Sequence, residues 1–199
     1  MVMLNTIVIA TNNENKAIEF RNMFSSKNIH FKTLKDFPKI GNIKEDGNSF
    51  EENATIKATA VHKMTNLAVL ADDSGLQVHS INNEPGIYSA RYAGDHDDSA
   101  NNKKLLKKLS DKNDRSATFF TCLVLIKHDG KKLVVNGELN GNILEEYRGD
   151  NGFGYDPLFY VPSMKKTLAQ MTNTEKNKIS HRGKAIKKLF DEFDNWWIN

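Results

Sequence analysis

The chain opens with a short apolar run, Thr6-Ile7-Val8-Ile9-Ala10, which is rich in β-branched residues and is followed by a polar stretch at 12–15. Beyond that stretch, Ala17, Phe20 and Phe24 recur at helical spacing. Runs of the first kind favour strands, and apolar residues three or four positions apart favour one face of a helix. A strand, a polar loop and a helix in this order constrain the chain to an α/β fold.

The later apolar runs continue this pattern. Ser49-Phe50-Glu51-Glu52 has the form of a capping box and predicts the start of a helix. Asp129-Gly130 lies between two long apolar runs and predicts a hairpin between antiparallel strands. The pattern therefore predicts a mixed α/β sheet, with strands at His30–Leu34, Leu67–Ala71, Leu76–Ser80, Ala117–Lys127, Lys132–Leu139 and Leu158–Val161, and helices after Ser49, from Asp98 or Ser99, and from about Thr174 to Phe193.

The composition is that of a globular protein. Hydrophobic residues make up 39% of the 199 residues and charged residues 27%, which provides a core and excludes a disordered or fibrous chain. The length predicts a single domain over residues 1–199. The formal charge is only +3, with 28 Lys and Arg against 25 Asp and Glu, so the chain is mildly basic and no more.

The sequence also bears on the cellular compartment. No apolar run reaches the roughly 20 residues that a membrane span takes, and the chain from Met1 is interpreted as a strand and not as a signal peptide. The single cysteine, Cys122, lies within the apolar run Phe119–Ile126 and is interpreted as a buried core residue. We expect a soluble cytoplasmic protein.

Several common functional signatures are absent from the sequence. Gly183-Lys184 is followed by Ala185, so it does not complete a P-loop, and Gly152-x-Gly154 lacks the third glycine of a dinucleotide fingerprint. There is no H-E-x-x-H motif and no paired Cys-x-x-Cys. P-loop chemistry, Rossmann redox chemistry and structural zinc are therefore disfavoured.

Two lysines are candidates for contacts with phosphate. Thr11-Asn12-Asn13-Glu14-Asn15-Lys16 joins the first strand to a helix N-terminus, where backbone N–H groups attract anions and Lys16 adds a full charge. The alternative for this loop is a helix cap with a solvated lysine. Lys57 falls in the middle of the predicted second helix, where the alternative is a surface lysine with its stem along the helix.

The acidic pair Asp72-Asp73 ends the predicted strand Leu67–Ala71 and precedes Ser74. Two adjacent carboxylates repel one another unless a cation or hydrogen bonds hold them. Mg²⁺ suits such a site, because it takes one or two carboxylates and completes its shell with water and substrate phosphates. Glu45 is a candidate for a further ligand. The alternatives are an aspartate pair that caps a turn and a solvated acidic loop around Glu45.

Two later segments are candidates for binding a base. In Gly152-Phe153-Gly154-Tyr155-Asp156-Pro157, two aromatic rings stand among small residues, an arrangement that can present a ring for stacking and a carboxylate for hydrogen bonds. The alternative is a turn that fills the core. Ser180-His181-Arg182-Gly183 lies near a helix start and supplies donors for a keto oxygen or a phosphate.

Taken in order, these segments closely resemble the inosine triphosphate pyrophosphatase family, the non-standard purine nucleoside triphosphate pyrophosphatases. The resemblance spans nearly the whole chain. It rests on six blocks: Thr11-Asn12-Asn13-x-x-Lys16, Ser49-Phe50-x-Glu52-Asn53-Ala54 with Lys57, Ala71-Asp72-Asp73-Ser74-Gly75-Leu76, Pro85-Gly86-Ile87-Tyr88-Ser89-Ala90-Arg91-Tyr92, Gly152-Phe153-Gly154-Tyr155-Asp156-Pro157 and Ser180-His181-Arg182-Gly183.

The resemblance implies a fold and an activity. The fold would be an elongated, ITPase-like (Maf/HAM1) mixed α/β fold with a central cleft, in a homodimer. The activity would be Mg²⁺-dependent hydrolysis of ITP, dITP and XTP to the monophosphate and pyrophosphate, which keeps these nucleotides out of DNA and RNA. The resemblance also makes Asp73 the general base and a metal ligand, Glu45 a second metal carboxylate, and Lys57 a catalytic residue that holds the triphosphate.

The remaining site residues implied by the resemblance bind the substrate. We expect Lys16, Lys57, Lys176 and Arg182 to face one polyanionic triphosphate in the cleft. Selection against ATP follows if His181 and Arg182 donate to O6, because the 6-amino group of adenine would set donor against donor. The full set of substrate-binding residues is Thr11, Asn12, Asn13, Glu14, Asn15, Lys16, Ser74, Phe153, Gly154, Tyr155, Asp156, Lys176, His181 and Arg182.

Two other functions remain open from the sequence. One is a related pyrophosphatase that acts on other damaged or pyrimidine triphosphates. The other is a nucleic-acid-binding module, suggested by the lysine pairs at 103–104, 107–108 and 187–188, for which we favour solvated helix faces. We therefore expect a nucleotide substrate and neither a nucleic acid nor a membrane partner. Trp196 and Trp197 fit an interface or packing on their own domain equally well.

Overall fold

The structure of the protein is a computed structural model that describes residues 6–25, 29–94 and 97–198. In chain order, the strands and helices are β1 Thr6–Ile9, α1 Glu14–Met23, β2 His30–Thr33, α2 Phe50–Thr65, β3 Ala68–Val78, β4 Glu84–Pro85, α3 Asp98–Lys108, β5 Ser116–Ile126, β6 Lys132–Ile143, β7 Phe159–Val161, β8 Lys166–Thr167, α4 Asn173–Ile179 and α5 His181–Ile198.

The strands form one mixed sheet, in the order β2-β1-β3-β5-β6-β7-β8, with β4 paired to β3. β1 runs parallel to both β2 and β3, whereas β4 pairs antiparallel with β3 and β7 pairs antiparallel with β6 and β8. This confirms the predicted mixed α/β sheet. Between β5 and β6 the chain turns at Gly130, which adopts a positive φ of 83° and donates its N–H to the carbonyl of Lys127, as the Asp-Gly signal predicts.

The chain divides into two compact units, of which the first comprises Met1–Asp73, Cys122–Asn136 and Ala185–Asn199. Helices α1 and α2 and strands β1 and β2 belong to it. The thiol of Cys122 is buried within this unit, and burial raises its pKa to about 12, as expected for a core residue. The core of this unit is formed by Ile7, Ile9, Phe20, Phe24, Ala68, Leu70, Leu123, Leu125, Leu133, Val135, Ala185, Ile186, Leu189 and Phe193.

The second unit comprises Ser74–Thr121 and Gly137–Lys184. It contains α3, α4 and strands β4, β7 and β8. Helix α3 contributes Leu105 and Leu109 to the core, while its four lysines at 103, 104, 107 and 108 are exposed, as the helical spacing predicts. The core of this unit is formed by Leu76, Val78, Ile81, Tyr92, Leu105, Leu109, Ala117, Phe119, Leu139, Ile143, Tyr155, Leu158, Phe159, Val161, Leu168 and Met171.

Several boundaries differ from those predicted, and two of the differences affect candidate site residues. β3 continues through the acidic pair to Val78 instead of ending at Ala71, so these carboxylates lie inside a strand. The predicted C-terminal helix is two helices, because Ser180 has an extended backbone with ψ of 157° and separates α4 from α5. Hydrophobic periodicity is insensitive to one extended residue between two helical runs, which explains the second error.

The described helices give no indication of a membrane span, since none of them combines sufficient length with sufficient hydrophobicity. At the C-terminus, the ring of Trp197 stacks on Phe193 at 5.0 Å between centroids, which is packing on its own unit. The side chain of Trp196 lies outside the described part of the chain.

Gly183 provides a test of how α4 and α5 meet. A Cβ at this position would lie 1.8 Å from the carbonyl oxygen of Asn177, whereas a Cβ at Gly41 would meet nothing within 4 Å. We therefore predict that Gly183→Ala lowers the free energy of unfolding by about 1–3 kcal/mol or more, because the backbone must shift. Gly41→Ala is the control, with a change of about 0.5 kcal/mol or less. Urea unfolding of the two variants measures the difference, and equal stability would contradict the close contact.

Candidate functional site

The loop after β1 is shaped by its own side chains. Asn13 is the N-cap of α1, and its Oδ1 accepts the backbone N–H of Lys16 at 3.2 Å. Thr11 Oγ1 accepts the N–H of Asn13 at 3.1 Å. Asn12 and Asn15 are exposed. The predicted helix cap is therefore present, and it fixes the direction in which the chain enters α1.

Lys16 is not the solvated lysine of the alternative interpretation. Its Nζ lies 2.8 Å from Oδ2 of Asp72, and the two side chains are 17% and 1% exposed. The ammonium group supplies the opposite charge that a buried carboxylate requires. Glu14, in contrast, is exposed and forms an ion pair with Lys35. Lys16 thus links the predicted phosphate loop to β3 through its ion pair with Asp72.

Asp73 is held by a different partner. Asn53, which is buried on α2, donates Nδ2 to Oδ2 of Asp73 at 3.1 Å. Burial raises the pKa of Asp73 to about 6, against the opposing effects of Lys16 and Lys57, while Glu45 raises it further. A carboxyl group with this pKa exchanges its proton near neutral pH, which is the property that a general base requires.

Lys57 and Glu45 form the second ion pair of this cluster. Lys57 Nζ lies 2.8 Å from Oε2 of Glu45, and the lysine side chain is only 12% exposed. Neither a surface lysine nor a solvated acidic loop describes this pair. Lys57 is positioned by α2, a helix of the first unit. Ser49 caps the N-terminus of this helix, because its Oγ accepts the N–H of Glu52 at 3.1 Å.

Asn53 joins the Glu45 loop to Asp73, a role that the sequence analysis did not assign to it. Its Oδ1 accepts the N–H of Gly47 at 2.9 Å while its Nδ2 donates to Asp73. The two bonds use the acceptor and the donor of one amide and so determine its orientation. The sequence offered one indication of this role: Asn53 lies four residues after the helix cap Ser49 and directly before Ala54, which is buried.

The donors in this cluster fit a magnesium ion. Asp73 and Glu45 offer carboxylate oxygens, and each is close enough to affect the other electrostatically. Among residues 6–25, 29–94 and 97–198, no group of three or more His, Cys, Asp or Glu forms a metal-binding cluster. Mg²⁺ needs no such cluster, because it commonly takes one or two carboxylates and fills its shell with water and phosphate oxygens.

The second unit contains the predicted base-binding loop. The carboxylate of Asp156 accepts the N–H of Phe153 at 3.0 Å and the ammonium group of Lys176 at 2.8 Å through the same oxygen, Oδ2. Gly152 is required here, since its φ is +81° and a Cβ would lie 2.1 Å from that oxygen. The loop is thus wrapped around one buried carboxylate.

Lys176 gives Phe153 a charged neighbour. Its Nζ lies 4.7 Å from the centroid of the Phe153 ring, and the lysine is buried on α4. A lysine over an aromatic face is a cation–π contact, which holds the ring in place. Three of the predicted residues, Phe153, Asp156 and Lys176, are therefore brought together.

Tyr155 and Gly154 of the same loop face other partners. The Tyr155 ring is part of the core of the second unit, its hydroxyl donates to the carbonyl of Ser89 at 2.9 Å, and burial raises its pKa. This is the core-filling alternative for this residue. Gly154 is held by α3, where Asp98 accepts its N–H at 2.7 Å and Asn102 donates to its carbonyl at 2.8 Å. The sequence analysis did not identify Asp98 or Asn102.

His181 and Arg182 begin α5 and are both buried. The His181 ring stacks on Phe119 with centroids 4.9 Å apart and planes 13° apart. Arg182 donates Nη2 to Oγ of Ser74 at 3.2 Å, and Ser74 Oγ lies 2.7 Å from Oγ1 of Thr121. The structure thus places Ser74 with Arg182 in the second unit.

Comparison with known proteins adds to this geometry. The sequence pattern of the Ham1 family matches residues 7–192. A dITP/XTP pyrophosphatase of Lactiplantibacillus plantarum is 57% identical over 194 residues, which are 96% of each chain. A dITP/XTP pyrophosphatase of Bacillus cereus is 44% identical and covers 100% of this chain and 99% of its own.

Solved structures agree with these relatives. The Ham1 protein of Staphylococcus aureus superposes with a TM-score of 0.86 at 43% identity, over 96% of this chain and 99% of that protein. A HAM1 protein from Coxiella burnetii gives a TM-score of 0.85 at 42% identity, over 92% and 95% of the two chains.

The buried state of Asp73 generates a prediction about stability. A carboxyl group whose pKa is higher in the folded state binds its proton more tightly there, so its contribution is favourable below pH 4 and is lost as the pH rises through about 6. Asp73→Asn, measured with EDTA at pH 7.5, should raise the free energy of unfolding by about 1–3 kcal/mol.

The pH dependence provides the control for this variant. At pH 3 the two proteins should be nearly equal in stability, because Asp73 is then mostly protonated in both the folded and the unfolded state. Chemical unfolding at the two pH values measures the difference. A destabilised Asp73→Asn variant at pH 7.5 would contradict the assignment of a strained carboxylate.

Proposed function

The chain belongs to the Ham1 family, and we propose that it is a Mg²⁺-dependent pyrophosphatase that hydrolyses dITP, XTP and ITP to the monophosphate and pyrophosphate. The observation that carries this proposal is the cluster of Asp73, Lys16, Lys57 and Glu45 in the first unit. It combines a carboxyl group of raised pKa with two partly buried lysines. The dITP/XTP activity named for the relatives supports the same substrate class.

The chemistry follows from the charges in this cluster. Attack of water on the α-phosphorus leaves little covalent work to the protein, so most of the acceleration comes from orienting the water and from stabilising the charge on the pyrophosphate leaving group. Asp73 would take a proton from the attacking water. Lys16 and Lys57 would donate to phosphate oxygens when the triphosphate binds, and Lys16 would use a second N–H to keep its contact with the buried Asp72.

Magnesium would be held by the carboxylates of Asp73 and Glu45. When bound, it would neutralise phosphate charge and favour departure of pyrophosphate. Glu45 has a second use without metal, because its ion pair with Lys57 keeps that lysine next to Asp73. Lys57 is therefore placed to bind the negative charge of the substrate, and Glu45 is placed to bind the cation that accompanies it.

The base would be bound by the residues of the second unit. Phe153 would stack on the purine, its ring held by Lys176, whose ammonium group also pairs with Asp156. His181 and Arg182 would donate hydrogen bonds to the 6-keto oxygen. A 6-amino group in its place would leave a buried donor unsatisfied, which costs about 1–3 kcal/mol and selects against adenine.

We extend the proposal to the cellular role. Removal of deaminated purine triphosphates would keep them out of DNA and RNA, and the protein would work in the cytoplasm as a homodimer. The lone buried Cys122 suits a reducing compartment. Light scattering after gel filtration tests the dimer, which would have a mass near twice the 22.5 kDa of one chain.

The activity itself is tested by a substrate panel. We predict release of pyrophosphate from dITP, XTP and ITP in the presence of Mg²⁺, a loss of activity with EDTA, and much slower release from dATP and dUTP. Faster release from dUTP would favour the alternative of a pyrimidine house-cleaning enzyme. No release from any of them would reject the proposal.

Asp73→Asn tests the proposed general base. The Asn side chain keeps a carbonyl oxygen for the Asn53 amide, so the fold should survive, while the turnover of dITP should fall by at least about 100-fold. Circular dichroism checks the fold and pyrophosphate release measures the loss. Near-normal turnover would remove Asp73 from the chemical step.

His181→Ala tests the reading of the base. We predict that kcat/KM for dITP falls about 10-fold or more while kcat/KM for dATP changes less, because only the keto oxygen accepts the lost hydrogen bond. Lys187→Ala, an exposed position on the same helix, is the matched control. Equal losses on both nucleotides would exclude His181 from base selection.

A further inference from the structure

We propose that Thr121 is a positioning residue for nucleotide selection, acting through Ser74 on the Arg182 guanidinium. The proposal rests on the proposed function, since it concerns the same reaction. The sequence analysis placed Thr121 in a predicted strand and gave it no functional role. It is fully buried on β5, and its Oγ1 lies 2.7 Å from Oγ of Ser74, a normal length for a hydrogen bond between hydroxyl groups.

The donors and acceptors explain why this contact affects Arg182. A guanidinium group only donates, so Ser74 Oγ must accept the bond from Arg182 Nη2. A serine hydroxyl has two lone pairs and one hydrogen, and one lone pair is thereby used. The bond to Thr121 takes either the second lone pair or the hydrogen, and in both arrangements it restricts rotation of the Ser74 hydroxyl.

The position of Thr121 on β5 links the two base-reading residues. Residues two apart on a strand lie on the same face, so Thr121 shares its face with Phe119. Phe119 stacks on His181, and Thr121 contacts the Ser74 hydroxyl that accepts from Arg182. One face of β5 therefore supports both donors that would read the 6-keto oxygen.

The burial of Arg182 explains why the support from Thr121 affects its orientation. Arg182 is 2% exposed and is among the largest fully buried side chains of the described residues. A guanidinium is planar with donors in a fixed fork, so an acceptor at one nitrogen helps to orient all of its donors. The position of Ser74 Oγ thus helps to set the direction of the donors that would face the purine.

The test compares Thr121→Val with Thr121→Ser. Valine has nearly the shape of threonine but no hydroxyl, whereas serine keeps the hydroxyl and loses the methyl group. We expect Thr121→Val to lower the ratio of kcat/KM for dITP to kcat/KM for dATP about tenfold, largely through KM for dITP, and Thr121→Ser to restore most of the ratio.

A matched control comes from the same strand. Thr118 lies on the other face of β5, and its hydroxyl bonds Asn140 at 2.9 Å and His79 at 3.1 Å, which are outside the site. Thr118→Val therefore removes a comparable hydroxyl without touching Ser74, and the dITP to dATP ratio should stay at the wild-type value. If Thr121→Val does not fold, Thr121→Ala removes the same hydroxyl without adding a methyl group.

A double-mutant cycle shows whether Thr121 acts through Ser74. In a Ser74→Ala background, Thr121→Val should change the nucleotide ratio no further, because the acceptor that Thr121 positions is already gone. Additive effects, or a wild-type ratio in Thr121→Val, would overturn the inference while leaving the enzyme's activity intact. Wild-type protein that releases no pyrophosphate from dITP would instead overturn the proposed function.

Discussion

The ion pair between Lys16 and Asp72 is the contact on which the rest of the first unit's site depends. Asp72 is almost completely buried within β3, where an isolated carboxylate would be very unfavourable, and Lys16 supplies the compensating charge at 2.8 Å. That contact brings the start of α1 to β3, while Asp73, the next residue, accepts a hydrogen bond from Asn53 on α2. The pKa of Asp73 is raised to about 6 chiefly because its carboxyl group is buried, and the nearby charges of Lys16 and Lys57 only partly offset that effect.

The second unit also contains a buried carboxylate that is paired with a lysine, but this pair orders a loop. Asp156 and Lys176 are both buried and compensate each other at 2.8 Å, and the Asp156 oxygen also accepts the N–H of Phe153. The pair therefore orders a loop instead of leaving a reactive carboxyl. A glycine at 152 makes this possible, because any side chain there would displace the carboxylate. In the proposed mechanism, buried charge would serve the chemical step in the first unit, whereas in the second unit it positions a loop.

Much of the fold was predictable, since it depends on local patterns, and several of the residues proposed from the sequence for the site are brought into contact with one another. The strand-loop-helix start, the Ser49 cap and the Asp129-Gly130 turn each follow from a few adjacent residues. The extent of β3 was not predictable, because Asp, Ser and Gly disfavour strands and only pairing with neighbouring strands holds them there. Asn53 and Thr121 share this limitation: their roles come from partners 20 and 47 residues away, and the sequence shows no such contact.

The place of the acidic pair inside a strand has a consequence for the mechanism. A carboxylate on a loop can move toward a substrate, whereas one within β3 keeps its position while the mobile groups adjust around it. The lysine side chains are the groups that can adjust, since each has a flexible four-carbon stem and an ammonium group that can donate to phosphate as well as to a carboxylate. In the proposed mechanism, phosphate oxygens would offset the charges of Lys16 and Lys57, which lower the pKa of Asp73 in the free protein. The Asp73 carboxylate would then take a proton from water more readily. The burial that raises the pKa of Asp73 in the free protein is therefore what would make its carboxylate a suitable base in the proposed reaction.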